Sequence, residues 1–600
     1  MLTRAAVRFR SQASARGLAL LLAAALGAAV MAVPPLGASP AVLPSSAIAV
    51  GMTGIGKTVI LGTRVSEFQV RVLGTLKNAG PAGDLILFRA SGAALQSVGG
   101  LAAGMSGSPI YLGGRLAGAF SYTFQATDPT VGLFTPIGDM MKDLPVTRAG
   151  SGTSRTYTVA PFRLGGQTIR RITVAERAPA GTTARRGPSD TLVAVPAATP
   201  LFVSGFSQAA LESLARTLEP MGVVPMQGSG PANLPASLVL EPGSAIGVGL
   251  MQGDIAAYAI GTLTYRDGNR ILAFGHPFTD VGHAGYLLTN ATIFQTVSGQ
   301  ARNLKVGAAG AVVGTISEDR PAAIGGTIGV LPRVFGVRMR VVDADAGKAR
   351  QFSFQVVTSK EIAPQLVMLG AQEAIERALN RSGQGTAQVR MVLRGRALSH
   401  AVVRENLFYS GNDIASRALA EVPQAMHLLF DNDFAEVGPS DLEMDVRVTG
   451  QQDTAVITDA VLPTGPAAPG STLRIRVTLR PYRGAPQTQD IPLTIPPDFT
   501  PGSAVLVVRA GGTPAVPTFL NPTSGTAPSV GSPRTLTEAI SAFEQGERNT
   551  DVVIELVGNG PRPPAAGAPG PQSRVSTTVT MPWVLRGRFQ APITIEGGTR

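Results

Sequence analysis

The sequence predicts a mainly β chain with α+β parts, and three observations carry that expectation. Glycine and proline are abundant (71 and 46 of 600 residues), only 15% of residues are charged, and Val, Thr and Ile recur in short runs between Gly, Pro and Asp. Hydrophobic residues make up 44% of the chain, enough for several cores, and the length corresponds to several domains. Cysteine is absent, which excludes disulfides, thiolate metal sites and a cysteine nucleophile together. Of the net charge of +12, four charges are N-terminal arginines, and the other basic residues are scattered without runs or interleaved aromatics. That pattern argues against nucleic-acid binding and leaves at most an affinity for the cell envelope.

Each segment follows from its local pattern. Residues 1–38 carry Arg4, Arg8, Arg10 and Arg16 without an acid, then the apolar run Gly17 to Val33 and the small residues Gly37, Ala38 and Ser39. This reads as a signal peptide, cleaved or kept as an anchor, and places the remainder in the periplasm, the envelope or the medium. Residues 39–150 are short β segments, with Pro109 to Leu112 and Arg115 to Phe120 joined through Gly113-Gly114 as a tight hairpin. Residues 151–300 mix strands with a helix at Gln208 to Thr217, and residues 301–432 are α+β with helices near 360–380 and 412–427. Residues 433–515 alternate as a small β-sandwich (Leu442 to Val448, Leu473 to Leu479, Ala504 to Val508), suited to holding a cell-envelope partner. Residues 516–600 hold a helix at Thr535 to Gln545, a Pro/Gly/Ala linker at 561–571 and closing strands around Trp583.

The chemistry concentrates in Gly104-Met105-Ser106-Gly107-Ser108-Pro109. A serine attacks a carbonyl when its hydroxyl stands on a tight turn, beside a base, with N–H groups aimed at the developing oxyanion. Gly104 lets the backbone turn an N–H inward, so the N–H groups of Gly104 and Ser106 are the candidate oxyanion hole; Gly107 leaves room beside the hydroxyl. Of four histidines, His400 and His427 sit in apolar surroundings and read as packed side chains. His276, where a buried strand runs into Gly275-His276-Pro277, is the candidate general base, with His283 behind it.

Gly99 through Ile110, with the hairpin and Asp128-Pro129-Thr130 after it, resembles the SpoIVB peptidase family, sporulation-type serine peptidases of chymotrypsin-like fold. The resemblance is close over about residues 50–145 and weaker at Phe274 to Asp280. It implies a split β-barrel peptidase domain, Ser106 as nucleophile, His276 as base and a polypeptide substrate. Two departures stand out. Serine here precedes histidine, as if the barrel halves were exchanged, and the family's aspartate position falls on Ser91; Asp280, Asp84 and Asp128 are the candidate replacements.

Other motifs carry less. Gly51 to Thr58 fits the phosphate-loop pattern, but the following Val59-Ile60-Leu61 reads as strand, so no nucleotide is expected. Gly205-Phe206-Ser207-Gln208-Ala209 reads as a helix cap at Ser207, and Asp343 and Asp345 as a solvated strand face. No ligand cluster suggests a metal, and no cofactor is expected. Two functions follow: an exported serine endopeptidase, or a catalytically inactive peptidase-like module for envelope binding or assembly.

Overall fold

Short apolar alternations close on themselves twice in this chain, and the seam between the two closures positions every residue of interest. The computed structural model describes residues 41–80, 82–124, 128–142, 155–164, 167–175, 190–197, 199–218, 221, 223–299, 303–461, 465–513, 533–558 and 574–597. The first barrel contains β1 (Thr53–Val59), β2 (Val65–Leu76), β3 (Leu85–Ser91), β5 (Pro109–Leu112), β6 (Arg115–Phe124) and β7 (Val131–Pro136). Its order, β1-β2-β3-β7-β6-β5 and back to β1, is antiparallel at every pairing and leaves no edge. Phe68, Phe88, Phe120 and Phe134 fill it, with Phe88 edge-on to the other two β6 and β7 rings. Between β3 and β5 come the short α1 (Ala93–Gln96) and the two-residue β4 (Ala102–Ala103); α2 (Ile137–Lys142) follows β7. The β5–β6 hairpin turns on Gly113 and Gly114 at φ 57° and 76°, the conformation a two-residue turn requires and glycine supplies without strain. The phosphate-loop look-alike runs into β1 and pairs with β2 and β5, so it opens no helix that would hold a phosphate.

Three strands widen the sheet on the β6 side: β8 (Arg155–Leu164), β9 (Gln167–Val174) and β10 (Thr191–Pro196). The chain then crosses through β11 (Thr199–Ser204), α3 (Gln208–Leu218) and β12 (Val223–Gln227) into a second barrel. There the Ser207 hydroxyl accepts the Ala210 N–H (3.3 Å), the capping role read from the sequence. The second barrel is β13 (Ala245–Gly253), β14 (Ala256–Asp267), β15 (Arg270–Ala273), β16 (Gly282–Val297), β17 (Asn303–Arg320) and β18 (Ala323–Ile328). Its order, β13-β14-β15-β18-β17-β16 and back to β13, is again six antiparallel pairings. Two such barrels side by side are the chymotrypsin-like architecture, with the serine-bearing barrel first in the chain.

From β13 the sheet continues through β20 (Lys348–Val357), β19 (Val334–Asp343), β23 (Pro439–Thr449), β21 (Gly385–Gly395) and β22 (Val402–Ser410). Helices α4 (Ala363–Leu379), α5 (Ile414–Ala418) and α6 (Val422–Phe430) cover it and share its core through Leu366, Ile375, Ala418 and Met426. The single helix expected over 412–427 is two, because Pro423 is tolerated in a first turn and not inside a helix. Asp343 is buried and accepts the N–H groups of Asp345 and Ala346 in the turn after β19, so it is not part of a solvated strand face.

The β-sandwich consists of β24 (Thr454–Val461), β25 (Thr472–Pro481), β26 (Gln487–Thr494) and β30 (Val584–Arg586) facing β27 (Gly502–Ala510), β28 (Asp551–Gly558), β29 (Arg574–Thr580) and β31 (Arg588–Ile595). Ile475, Val477, Ile491, Leu506, Val508 and Ile554 meet between the sheets, each such burial stabilising by about 1.5–3 kcal/mol. Helix α7 (Leu536–Gln545) is inserted between β27 and β28, capped by Thr535.

These pairings shift two boundaries drawn from the sequence. The second barrel runs across residue 300, and β23, read with the sandwich, belongs to the sheet beside β19 and β21. The sandwich instead begins at Thr454 and takes its remaining strands from beyond 515. Alternation reveals a strand but not its partner. The leader at 1–38 and the linker at 561–571 lie outside the described residues.

Candidate active site

The serine turn is gripped from both barrels. Before it, β4 pairs in parallel with β17, Ala102 opposite Asn303 and Ala103 opposite Leu304. Gly104 and Gly107 then take φ of 87° and 90°. Within the first barrel, Ser108 donates its N–H and its hydroxyl to Met105 O (2.9 and 2.6 Å), and the Gly107 N–H donates to Phe120 O (2.8 Å). From the second barrel, Thr262 and Thr264, two apart on β14 and therefore on one face, reach across. The Thr262 N–H donates to Ser106 O (2.9 Å), the Thr262 hydroxyl to Gly104 O (3.2 Å) and the Thr264 hydroxyl to Gly107 O (2.7 Å). The N–H groups of Gly104 and Ser106, the candidate oxyanion donors, take no part in these turn bonds. A Cβ at position 107 would lie 2.0 Å from Thr262 O and 2.5 Å from Phe274 N, so the barrels meet here through a glycine.

The histidine turn docks on the same seam from the other side. β15 ends at Ala273, and Phe274 and Gly275 follow at φ 70° and 73°. Gly275 packs on Ala119 and Ser121 of β6, and its carbonyl accepts the Thr135 hydroxyl of β7 (2.7 Å). His276 is 2% exposed and Ser106 0%. Nδ1 of His276 lies 2.7 Å from Pro277 O. A carbonyl only accepts, so this bond puts the proton on Nδ1 and leaves a lone pair on Nε2. Burial pushes the His276 pKa down to about 4, so the ring is neutral at physiological pH. Neither Nε2 nor the Ser106 hydroxyl has a hydrogen-bond partner among the described residues, and the two make no hydrogen bond with each other. Sequence reasoning singled out both; the tertiary structure brings their segments into contact over 170 residues, through Gly107 and Phe274.

The other candidates stand elsewhere. Asp280 is exposed at the far end of the histidine turn with φ 62°, and its N–H donates to Asp319 (3.0 Å). His283 is exposed beside Glu318 (3.3 Å). Asp84 is paired with Lys77 (2.7 Å); burial raises its pKa, but the Lys77 and Asn78 donors outweigh this and hold it low. Asp128 accepts the Thr130 N–H and hydroxyl (2.9 and 2.7 Å), and Ser91 is exposed at the end of β3. Among the described residues the bonded partner of His276 is thus the Pro277 carbonyl, with no carboxylate in that place. His400 and His427 are not packed as read: both are exposed, His400 against Glu544 of α7 (3.1 Å) and His427 in the last turn of α6.

One carboxylate near the site had no sequence signal. Asp319, fully buried on β17, accepts the N–H groups of Phe278, Thr279 and Asp280 (2.7, 2.7 and 3.0 Å) and the Thr279 hydroxyl (2.7 Å). It fixes the backbone just past His276, and burial raises its pKa against those donors. Lys305, near the start of β17, and the Thr262/Thr264 pair were likewise unremarked, because on β strands they look like ordinary alternation. Among the described residues no group of His, Asp and Glu is arranged to hold a metal ion.

Residues 37–141 match the family described as SpoIVB peptidase S55. That segment contains the first barrel and the serine turn and bears out the resemblance seen there; the second barrel with His276 lies outside it. No curated protein and no solved structure matches the chain.

Proposed function

We propose, from a SpoIVB-like peptidase segment joined to a second barrel, that the chain is an exported serine endopeptidase with Ser106 as nucleophile and His276 as general base. The family match supports peptidase activity at the level of the family. One observation carries the finer reading: a hydroxyl and an imidazole lone pair, both buried and neither with a partner among the described residues, sit on contacting turns of two barrels. Leaving two such groups unpaired costs on the order of 1–3 kcal/mol each, which a structural role does not explain.

In this reading Ser106 Oγ attacks the scissile carbonyl while its proton passes to His276 Nε2. The Gly104 and Ser106 N–H groups receive the oxyanion, and His276 returns the proton to the leaving amine. The Pro277 carbonyl replaces the missing carboxylate in holding the tautomer, and Asp319 holds the turn. Because the base must be neutral, reactivity rises with pH through about 4. Substrate entry requires the covered seam to open. The leader supports action outside the cytoplasm, and the sandwich is the surface proposed for an envelope partner.

The burial of Ser106 and His276, with no hydrogen bond between them, favours the second reading: an inactive barrel pair kept for binding or assembly. A fluorophosphonate probe on the full chain separates the two. Labelling of the wild type that disappears in Ser106→Ala supports the peptidase; equal labelling of both proteins, or of neither, removes it.

A further inference from the structure

Among the described residues, Lys305 is a buried lysine at the barrel seam that the proposed mechanism leaves unused. It projects from β17 with 0% exposure. Its Nζ donates to the Thr58 hydroxyl of β1 (2.8 Å) and to the Thr262 hydroxyl of β14 (3.4 Å), one on each barrel. The Thr262 hydroxyl donates onward to Gly104 O, and the Thr262 N–H to Ser106 O. The lysine stem lies along the same turn: a Cβ on Gly104 would stand 3.2 Å from Lys305 Cβ and 3.4 Å from its Cδ.

We infer that Lys305 is a positioning residue for the oxyanion-forming turn, tying Thr58 of the first barrel to Thr262 of the second and, through Thr262, holding the Gly104–Ser106 backbone. The inference rests on the reading of Ser106 as nucleophile. The chemistry of the amine suits the role. Facing it are Thr58 from β1, Thr262 from β14, its cross-strand neighbour Thr296 from β16, and Gly104 from the turn; none is charged and none titrates near neutrality. Burial alone depresses its pKa to about 7. An uncharged amine has two N–H groups, the number the two threonines accept. Protonation adds a third donor without an acceptor and a charge without a counter-ion among the described residues, which loosens the tie. The latch is therefore closed above about pH 7 and weakened below it.

The test is the rate of fluorophosphonate labelling of Ser106 in the full chain between pH 5.5 and 9, for wild type, Lys305→Met and Thr262→Val. The wild-type rate should rise through pH 7. Lys305→Met should label roughly tenfold to a hundredfold more slowly at pH 8 and lose that inflection, a smaller loss than removal of an oxyanion donor itself. Thr262→Val, which keeps the lysine but cuts the relay to Gly104, should be slowed in the same way. A Lys305→Met protein that labels at the wild-type rate overturns the inference, and so does one that is slower but keeps the inflection near 7, since that is a structural effect only. If the wild type is not labelled, the nucleophile reading fails by itself, and amide hydrogen exchange of residues 101–109 decides the lysine. Exchange about tenfold faster in Lys305→Met at pH 8 supports the tie, and unchanged exchange overturns it.

Discussion

Replacing Gly107 by alanine tests whether the serine turn is clamped between the barrels, and the structure supplies its own control in Gly114→Ala. Both glycines have positive φ, 90° and 76°, so both substitutions pay backbone strain of about 1–2 kcal/mol. They differ in what the new methyl meets. At 107 it would stand 2.0 Å from Thr262 O and 2.5 Å from Phe274 N, both backbone atoms of the second barrel, whereas at 114 nothing lies within 4 Å. Forcing β14 and β15 off the turn adds an overpacking cost of about 1–3 kcal/mol. The expected loss is therefore about 2–5 kcal/mol for Gly107→Ala and about 1–2 kcal/mol for Gly114→Ala. The sole tryptophan, Trp583, reports on the sandwich, so its fluorescence is the wrong probe. A urea series with a brief protease pulse, followed by mass spectrometry of peptides from 102–112 and 256–275, reads the barrels directly. Equal losses for the two variants would refute the clamp, because strain alone would then explain both.

Two further perturbations follow from buried charges. The Lys305 amine gives up its proton near pH 7 in the folded chain and near 10.5 when unfolded, so the unfolded state holds the extra proton between these values and wild-type stability falls as pH falls across that window. Relative to Lys305→Met, the second barrel should therefore lose about 2 kcal/mol between pH 8.5 and 6.5, and a flat difference in the same urea series excludes a depressed lysine. Asp319→Asn leaves one carbonyl oxygen where two carboxylate oxygens accepted four donors, so it should destabilise the barrel by about 2–4 kcal/mol. It should also slow probe labelling of Ser106 as the histidine turn relaxes; unaltered labelling would show that Asp319 serves the fold and not the site.

How far the sequence reaches depends on how local each feature is. The Gly104–Pro109 turn, the Gly113-Gly114 hairpin, the cap at Ser207, the helix near 535–545 and the β-rich class all rest on conformational preferences within a few residues, and all were legible. His276 was legible for a related reason, since few histidines exist to choose from. What lay out of reach is set by strand partners distant in the chain: the closing of residues 245–328 into a second barrel, the return of β30 and β31 to complete the sandwich, and the placing of Thr262 and Lys305 at the serine turn and of Asp319 at the histidine turn. Alternation assigns a residue to a face, while the choice of which strand lies beside it is decided by packing of the whole chain. For that reason the candidate residues of the serine and histidine turns were readable in sequence, and the residues holding those turns were not.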